Sequence, residues 1–388
     1  MKIIHTADWH IGCTLYCNDR SAEHVAVFDR LVEIIGCEKP DVLLVSGDIF
    51  HNPRPGAAAH TMLTSVLLRL LHAAPGMKIV ITAGNHDSAS MHEIFRDAWR
   101  ELGVYAIGSA VSDDEVNFSK LIIEISGKCF VVAVPYVYSR LVDNGLFQRL
   151  LDETAQRNTS ALPVFLMAHA MVNFGSADVD AHGADEAVES SVFGSGYDYA
   201  ALGHVHVPMT IPGSGGRIRY SGSILPVSFD EDFEHSVSRV QIDSRGSSAE
   251  VDTIPLPAPV PVVTLPLGGL YEPWSVVLDR LKKFDSPLPS YIRLNVSRDE
   301  AVPADADIIA TQICENAGHR FCTLNYPPAD YSAPGGVHRA MTIEEFKMLS
   351  PDVLADLYAE EFGLDYDDEL RGLFREVAES VNRKEDED

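Results

Sequence analysis

Three short Val/Ile-rich runs near the start of the chain, KIIHTA at 2–7, DVLLVSG at 41–47 and MKIVITAG at 77–84, most constrain its folding. Runs that are apolar without alternation are how strands buried on both faces look, and such strands need helices to cover their sheet. The intervening segments supply them. Val25, Phe28, Val32 and Ile35 recur at helical spacing within 21–36, and Met62, Val66, Leu67, Leu70 and Leu71 repeat the pattern before the third run. A β-α-β-α-β order with short loops predicts an α/β layered domain.

Further along, LIIEIS (121–126) and CFVVAVPY (129–136) flank Gly127–Lys128, a hairpin signal. PVFLMAHA (163–170), YAALGHVH (199–206), RIRYSGS (217–223) and SVSRVQID (236–243) follow, so this region is strand-rich and predicts a second sheet packed on the first. At 253–266 the run TIPLPAPVPVVTLP holds five prolines, which excludes helix and predicts an extended linker or edge segment. Beyond it, 276–284, 291–297, 307–318 and 321–326 read as a small α/β unit, and two amphipathic helices follow from 342. A chain of 388 residues exceeds one ordinary core. The predicted division is 1–255, 256–338 and 339–388, and no internal repeat is visible.

Composition narrows the function. No apolar run reaches the roughly 18–20 residues of a membrane span, and the N-terminus lacks a signal-peptide pattern. Six cysteines with no CxxC pair predict reduced thiols and a cytoplasmic protein, with Cys13 and Cys17 as buried packing residues. The net charge of −27 includes no visible basic stripe, although a protein that grips many phosphates by itself usually carries one. Either the substrate is small, or a polyanion is held mainly by a metal centre and a partner. Part of the acidity is local, since residues 341–388 hold sixteen Asp/Glu against five Lys/Arg.

Five short motifs end the strand-like runs: Asp8-Trp-His10, Gly47-Asp48, Gly84-Asn85-His86-Asp87, His169, and Gly203-His204-Val-His206. In each X-x-X pair the side chains are two apart, so an extended backbone would project them from one face. The glycines before Asp48, Asn85 and His204 would let the chain turn sharply. Open α/β sheets bind ligands at the carboxyl ends of their strands, where all five motifs fall. Taken singly they are weak: a DxH or HxH pair is commonly a surface feature, a lone His169 would be a buried hydrogen-bonded residue, and Gly-Asn is turn chemistry. Taken together they make a site. Carboxylate, amide and imidazole without thiolate suit Mn²⁺, Fe²⁺ or Zn²⁺. Seven such groups exceed what one metal needs, whereas two metals sharing a bridging carboxylate would use them all and would clamp the attacking and leaving oxygens of a phosphoryl transfer.

The set DWH…GDIF…GNHD…H…GHVH resembles the calcineurin-like metallophosphoesterase superfamily. HTADWHIG (5–12), GDIFHNPRP (47–55), AGNHDS (83–88), YAALGHVHVP (199–208) and YSGSILPVSFDE (220–231) are similar to the nuclease subunits of bacterial double-strand-break repair complexes. The likeness is strong over 1–235 and weak after 260, and TIEEFKMLSPDVLADLYAEEF resembles that family's C-terminal segment. It implies a four-layer αββα sandwich, a small α/β capping domain and C-terminal helices. Asp8, His10 and His206 would hold one metal, Asn85, His169 and His204 the other, and Asp48 would bridge. His86 would lie beside the scissile phosphate, and His51 near it. The resemblance further implies manganese as the activating ion, DNA as substrate, exonuclease and single-strand or hairpin endonuclease activity, an SMC-like ATPase partner, and a homodimer formed through 21–36 and 58–73. Imidazole titrates in the range useful for protonating a leaving oxygen, which makes His86 the candidate acid. Two other functions fit the residues: a small-molecule phosphodiesterase or phosphatase, which the acidity suits, and a non-catalytic scaffold, which the full ligand set disfavours.

Overall fold

Alternation along each strand sorts the first half of the chain into layers. In the computed structural model, which describes residues 1–94, 96–112, 115–137, 145–173, 187–327 and 370–372, Lys2–Thr6, Val42–Ser46, Lys78–Thr82 and Val104–Ile107 are parallel neighbours in one sheet. Ile3, Val42, Leu44 and Val80 face one way; Ile4, Leu43, Val45, Ile79 and Ile81 face the other. The second set packs on Val27, Phe28, Leu31 and Ile35 of the helix Ser21–Glu38, and on Val66, Leu67 and Leu70 of Ala57–Ala73. A strand with both faces buried therefore reads as an unbroken apolar run.

The opposite face meets a second six-stranded sheet, ordered Met209–Thr210, Ile218–Tyr220, Tyr199–Gly203, Val164–His169, Cys129–Ala133 and Ile122–Ile125. Val131, Phe165, Leu166 and Ala200 are fully buried there. Polar ties cross between the sheets as well: the Ser46 hydroxyl donates to the Ala201 carbonyl at 3.0 Å, and His5 Nδ1 lies 3.0 Å from the Tyr199 hydroxyl. Phe147, Leu150 and Leu151 of Leu146–Arg157 belong to the same core, and Phe147 packs edge-on against Phe193. Helix, sheet, sheet and helix follow in order, which is the expected four-layer α/β sandwich.

Three local expectations shift. The hairpin turn is centred on Ser126 and Gly127, both left-handed, one residue earlier than Gly127–Lys128. SVSRVQID does not join the second sheet: Ser236–Gln241 returns to pair antiparallel with Lys2–Thr6, and Glu250–Pro255 adds the outer edge. Periodicity marks a strand but cannot choose its neighbour. Cys13 is buried as expected, whereas Cys17 is exposed in the Thr14–Asp19 hairpin region.

The proline-rich stretch starts as the edge strand Glu250–Pro255 and ends in Val262–Leu265, where edge positions tolerate the missing N–H groups. Val262–Leu265, Tyr291–Asn295 and Arg320–Asn325 then form a three-stranded parallel sheet with Trp274–Lys283 and Ala306–Asn316. This small sheet has its own core around Trp274, Val277, Ile292, Leu294 and Ala310. Met1–Pro327 form one compact unit and residues 328–388 a second. The amphipathic helices expected from 342 lie outside the described residues, apart from 370–372.

Candidate metal centre

The five motifs meet where the parallel strands of the two sheets end. Asp8 and His10 follow Lys2–Thr6, Asp48 follows Val42–Ser46, and Asn85 and His86 follow Lys78–Thr82; His169 ends Val164–His169, and His204 and His206 follow Tyr199–Gly203. The backbone reaches them by tight turns rather than by strand alternation. Asp8, His10, Asp48 and His204 take φ of 51°, 45°, 50° and 97°, the sparsely populated left-handed region. Ladder-like bonds hold these turns: Asp8 N–H donates to the Gly47 carbonyl at 3.1 Å, and His10 N–H to the Asp48 carbonyl at 3.0 Å.

Of the three glycines expected to turn the chain, only Gly47 does so, with φ 87°. Gly84 and Gly203 are required by crowding instead. A Cβ on Gly84 would lie 2.0 Å from Asp48 Oδ1, and one on Gly203 would lie 1.8 Å from the Ser46 carbonyl oxygen. Gly203→Ala is therefore expected to destabilise the fold by about 3 kcal/mol or more, since overpacking against backbone has nowhere to relax. A denaturant melt of the metal-free variant checks this.

The donors fall into two linked groups. His10 Nε2 lies 3.1 Å from His206 Nε2, and Asp8, His10 and His206 each offer an atom within one metal-sized cluster. Asn85 Oδ1 lies 3.0 Å from His169 Nε2 and 3.1 Å from His204 Nδ1. Asp48 Oδ2 stands between the groups, 3.7 Å from His10 Nε2 and 3.5 Å from His169 Nε2. The floor is buried, with Asp8, His10, Asp48 and His169 at 1–2% exposure, while Asn85, His86, His204 and His206 form an accessible rim. His86 adjoins it. Its Nδ1 is held by the His51 carbonyl at 2.9 Å, its ring lies 5.0 Å from His10, and its N–H donates to Asp48 Oδ1 at 3.0 Å. His51 stacks on His86 at 5.8 Å. His10, His51 and His86 also offer atoms close enough for a further cation.

The donor chemistry fits divalent cations. His169 Nδ1 donates to the Ser46 carbonyl at 2.9 Å, which in the neutral ring leaves the Nε2 lone pair aimed at Asn85 Oδ1. Two lone pairs at that distance need a proton or a metal between them. Burial alone would lower the basicity of His169, but the Asp48 and Asp8 carboxylates outweigh it and raise its pKa to about 9. Burial also opposes ionisation of Asp48, yet His169 and His10 hold it well below the usual carboxylate range. Asp8 is pushed up to about 6, chiefly by burial. His10 and His204 are lowered to about 3 and about 4, again chiefly by burial, so both present neutral lone pairs. A metal entering at His169 must displace its proton. Manganese binding at pH 7 is accordingly expected to release protons, and apparent affinity should rise with pH until about 9 is passed. Calorimetry in buffers of different ionisation enthalpy reads this directly.

Two functional groups escape sequence reasoning. The Asp87 carboxylate accepts N–H bonds from Gly84 (2.9 Å), Ile49 (3.0 Å) and Phe50 (2.8 Å) and pairs with His92 at 3.3 Å, lacing two ligand loops together. Its place inside GNHD was the available signal. Glu231 lies 2.8 Å from His206 Nδ1, and only its position at the end of YSGSILPVSFDE hinted at the site.

Residues 1–208 match the family model for the calcineurin-like phosphoesterase. The chain belongs to that family. This phosphoesterase is 34% identical to SbcD of the SbcCD nuclease from Rhodobacter capsulatus over 320 residues, covering 74% of this chain and 77% of that one. It is 27% identical to SbcD of the SbcCD nuclease from Escherichia coli K12 over 327 residues, 77% of this chain and 79% of that one. These two likenesses place it on the SbcD branch of the phosphoesterases. Among solved structures it is similar to a dimetal phosphatase from Danio rerio, at 14% identity and a TM-score of 0.42 over 65% of this chain and 98% of that one.

Proposed function

We propose that this phosphoesterase is the nuclease subunit of an SbcCD-type complex, hydrolysing DNA phosphodiester bonds with two divalent metals, manganese foremost, in the cytoplasm. The observation that carries the reading is Asp48 standing between the Asp8–His10–His206 group and the Asn85–His169–His204 group. In this assignment Asp48 would be shared by the two ions, and the other six residues would divide between them. Bound metals supply activation of water and neutralisation of phosphate charge. The chain supplies the rest. The buried floor fixes the donors before substrate arrives, and the open rim admits a phosphate. His86 stands at that rim with its Nδ1–H donating to the His51 carbonyl at 2.9 Å, which fixes the orientation of the ring. In the proposed role the opposite nitrogen, Nε2, would carry the proton given to the departing oxygen.

Manganese-dependent cleavage of duplex and hairpin DNA, set against cyclic nucleotides and p-nitrophenyl esters, tests the substrate class. Efficient turnover of the small esters with none of DNA would overturn the nuclease reading. The net charge of −27 favours a small diester as the second reading. It also motivates an SMC-like ATPase partner of the SbcC type, which would bring the DNA-binding surface and dock on 342–381. Deletion of 340–388 is expected to abolish co-purification with such an ATPase while hydrolysis of bis-p-nitrophenyl phosphate stays within about threefold, since Met1–Pro327 form a compact unit that the deletion leaves intact. Dimerisation through the paired helices Ser21–Glu38 and Ala57–Ala73 belongs to the same proposal; Val25 and Leu68 are exposed on them, and Arg69 pairs with Asp29 between them.

A further inference from the structure

We propose that Glu231 is a positioning residue for His206, fixing which nitrogen of that ring faces the metal centre; the proposal rests on the two-metal reading above. A neutral imidazole carries one proton and can place it on either nitrogen. Glu231 Oε1 lies 2.8 Å from His206 Nδ1, and a carboxylate accepts only, so the proton belongs on Nδ1. His206 Nε2 is thereby left with a lone pair, on the side where His10 Nε2 stands at 3.1 Å and Asp8 completes the cluster.

Glu231 is itself built in rather than loosely placed. It is 7% exposed, and its second oxygen accepts the Ser223 hydroxyl at 2.9 Å. Ser223 N–H donates in turn to the His206 carbonyl at 2.9 Å, closing a loop from ring to carboxylate to serine and back to the same residue's backbone. Gly222 allows that approach, since a Cβ there would lie 2.4 Å from the His206 carbonyl oxygen. The other end of the segment is clamped by the small sheet. Phe229 is buried with Leu15 and Tyr291, and the Arg293 guanidinium sits 5.1 Å over its ring while bonding Asp230 Oδ1 through both terminal nitrogens at 3.1 Å. The run SGSILPVSFDE thus has a physical purpose: its two ends meet at one metal-facing histidine. Carboxylates that orient a ligating imidazole through its second nitrogen typically change metal affinity by about 10–100-fold when removed.

The test is a two-site manganese isotherm by calorimetry on the full chain, paired with ¹⁵N-histidine spectra of the metal-free protein. Glu231→Ala is expected to weaken one of the two sites by about 10–100-fold and leave the other unchanged. Glu231→Gln, whose amide oxygen still accepts from Nδ1–H, restores most of that affinity. Glu231→Asp keeps the charge, falls a methylene short, and shows the alanine-like loss, which keeps the test decisive should the alanine variant not fold. In the spectra, His206 carries its proton on Nδ1 in wild type and Glu231→Gln and loses that preference in Glu231→Asp. Wild-type affinity at both sites in Glu231→Ala and Glu231→Asp overturns the proposal, as does a neutral His206 ring whose single proton sits on Nε2 in wild type. A wild-type chain that shows the Nδ1 proton but binds fewer than two manganese ions supports the placement of the ring by Glu231 and overturns the two-metal reading instead.

Discussion

His86→Ala is expected to bind two manganese ions per chain with wild-type affinity and to cleave hairpin DNA about 10²–10⁴-fold more slowly, the usual size of a lost general acid–base contribution. The geometry motivates both halves. No shared donor cluster among the described residues requires His86 beyond the one it makes with His10 and His51, whereas His10 also stands with Asp8 and His206. Its Nδ1 is committed to the His51 carbonyl, so the backbone aims the side chain. Asn85→Ala is the contrasting variant, because Asn85 Oδ1 meets His169 and His204 and nothing else in that group supplies a neutral oxygen. It should weaken one metal and spare the other. Calorimetry and a cleavage assay on the same preparations separate the two roles. Loss of a metal in His86→Ala would move His86 into the ligand set, and normal cleavage would remove it from the reaction.

Asp48→Ala carries the other large effect, and it falls on both metals at once. Its carboxylate lies within 3.7 Å of His10 Nε2 and 3.5 Å of His169 Nε2, and its other oxygen receives the His86 N–H. Removing it takes a shared anion from both groups and frees the backbone that carries His86. Metal-ion catalysis supplies several kcal/mol of charge stabilisation, so losing about 4 kcal/mol slows cleavage by about 10³-fold. Manganese should bind more weakly at both sites in the calorimeter, not at one. A variant that lost a single metal would show that Asp48 serves one ion and would break the bridging assignment.

Much of the site could be read along the chain because its parts are local. Val/Ile-rich runs and helical spacing predicted the first three parallel strands and both covering helices to within a few residues, since burial on two faces leaves its mark on every position. The chemistry of Asp8, His10, Asp48, Asn85, His169, His204 and His206 is likewise a matter of residue type, and the sandwich does gather all seven. Less legible was how they are gathered. Strand periodicity suggested that Asp8 and His10 project together from an extended backbone; in the fold both lie past the strand end in left-handed turns that neighbouring loops hold in place.

What the sequence determined by itself, then, was the inventory: the layers available, the donors, and the strand ends that carry them. Only the tertiary structure decided the partnerships. It set His10 against His206 across 196 residues, returned Ser236–Gln241 to the first sheet, and brought Glu231 to His206. The physical reason is that propensity and periodicity act within a few residues, whereas a hydrogen bond or a metal cluster depends on which faces the packed sheets bring within about 3 Å of each other.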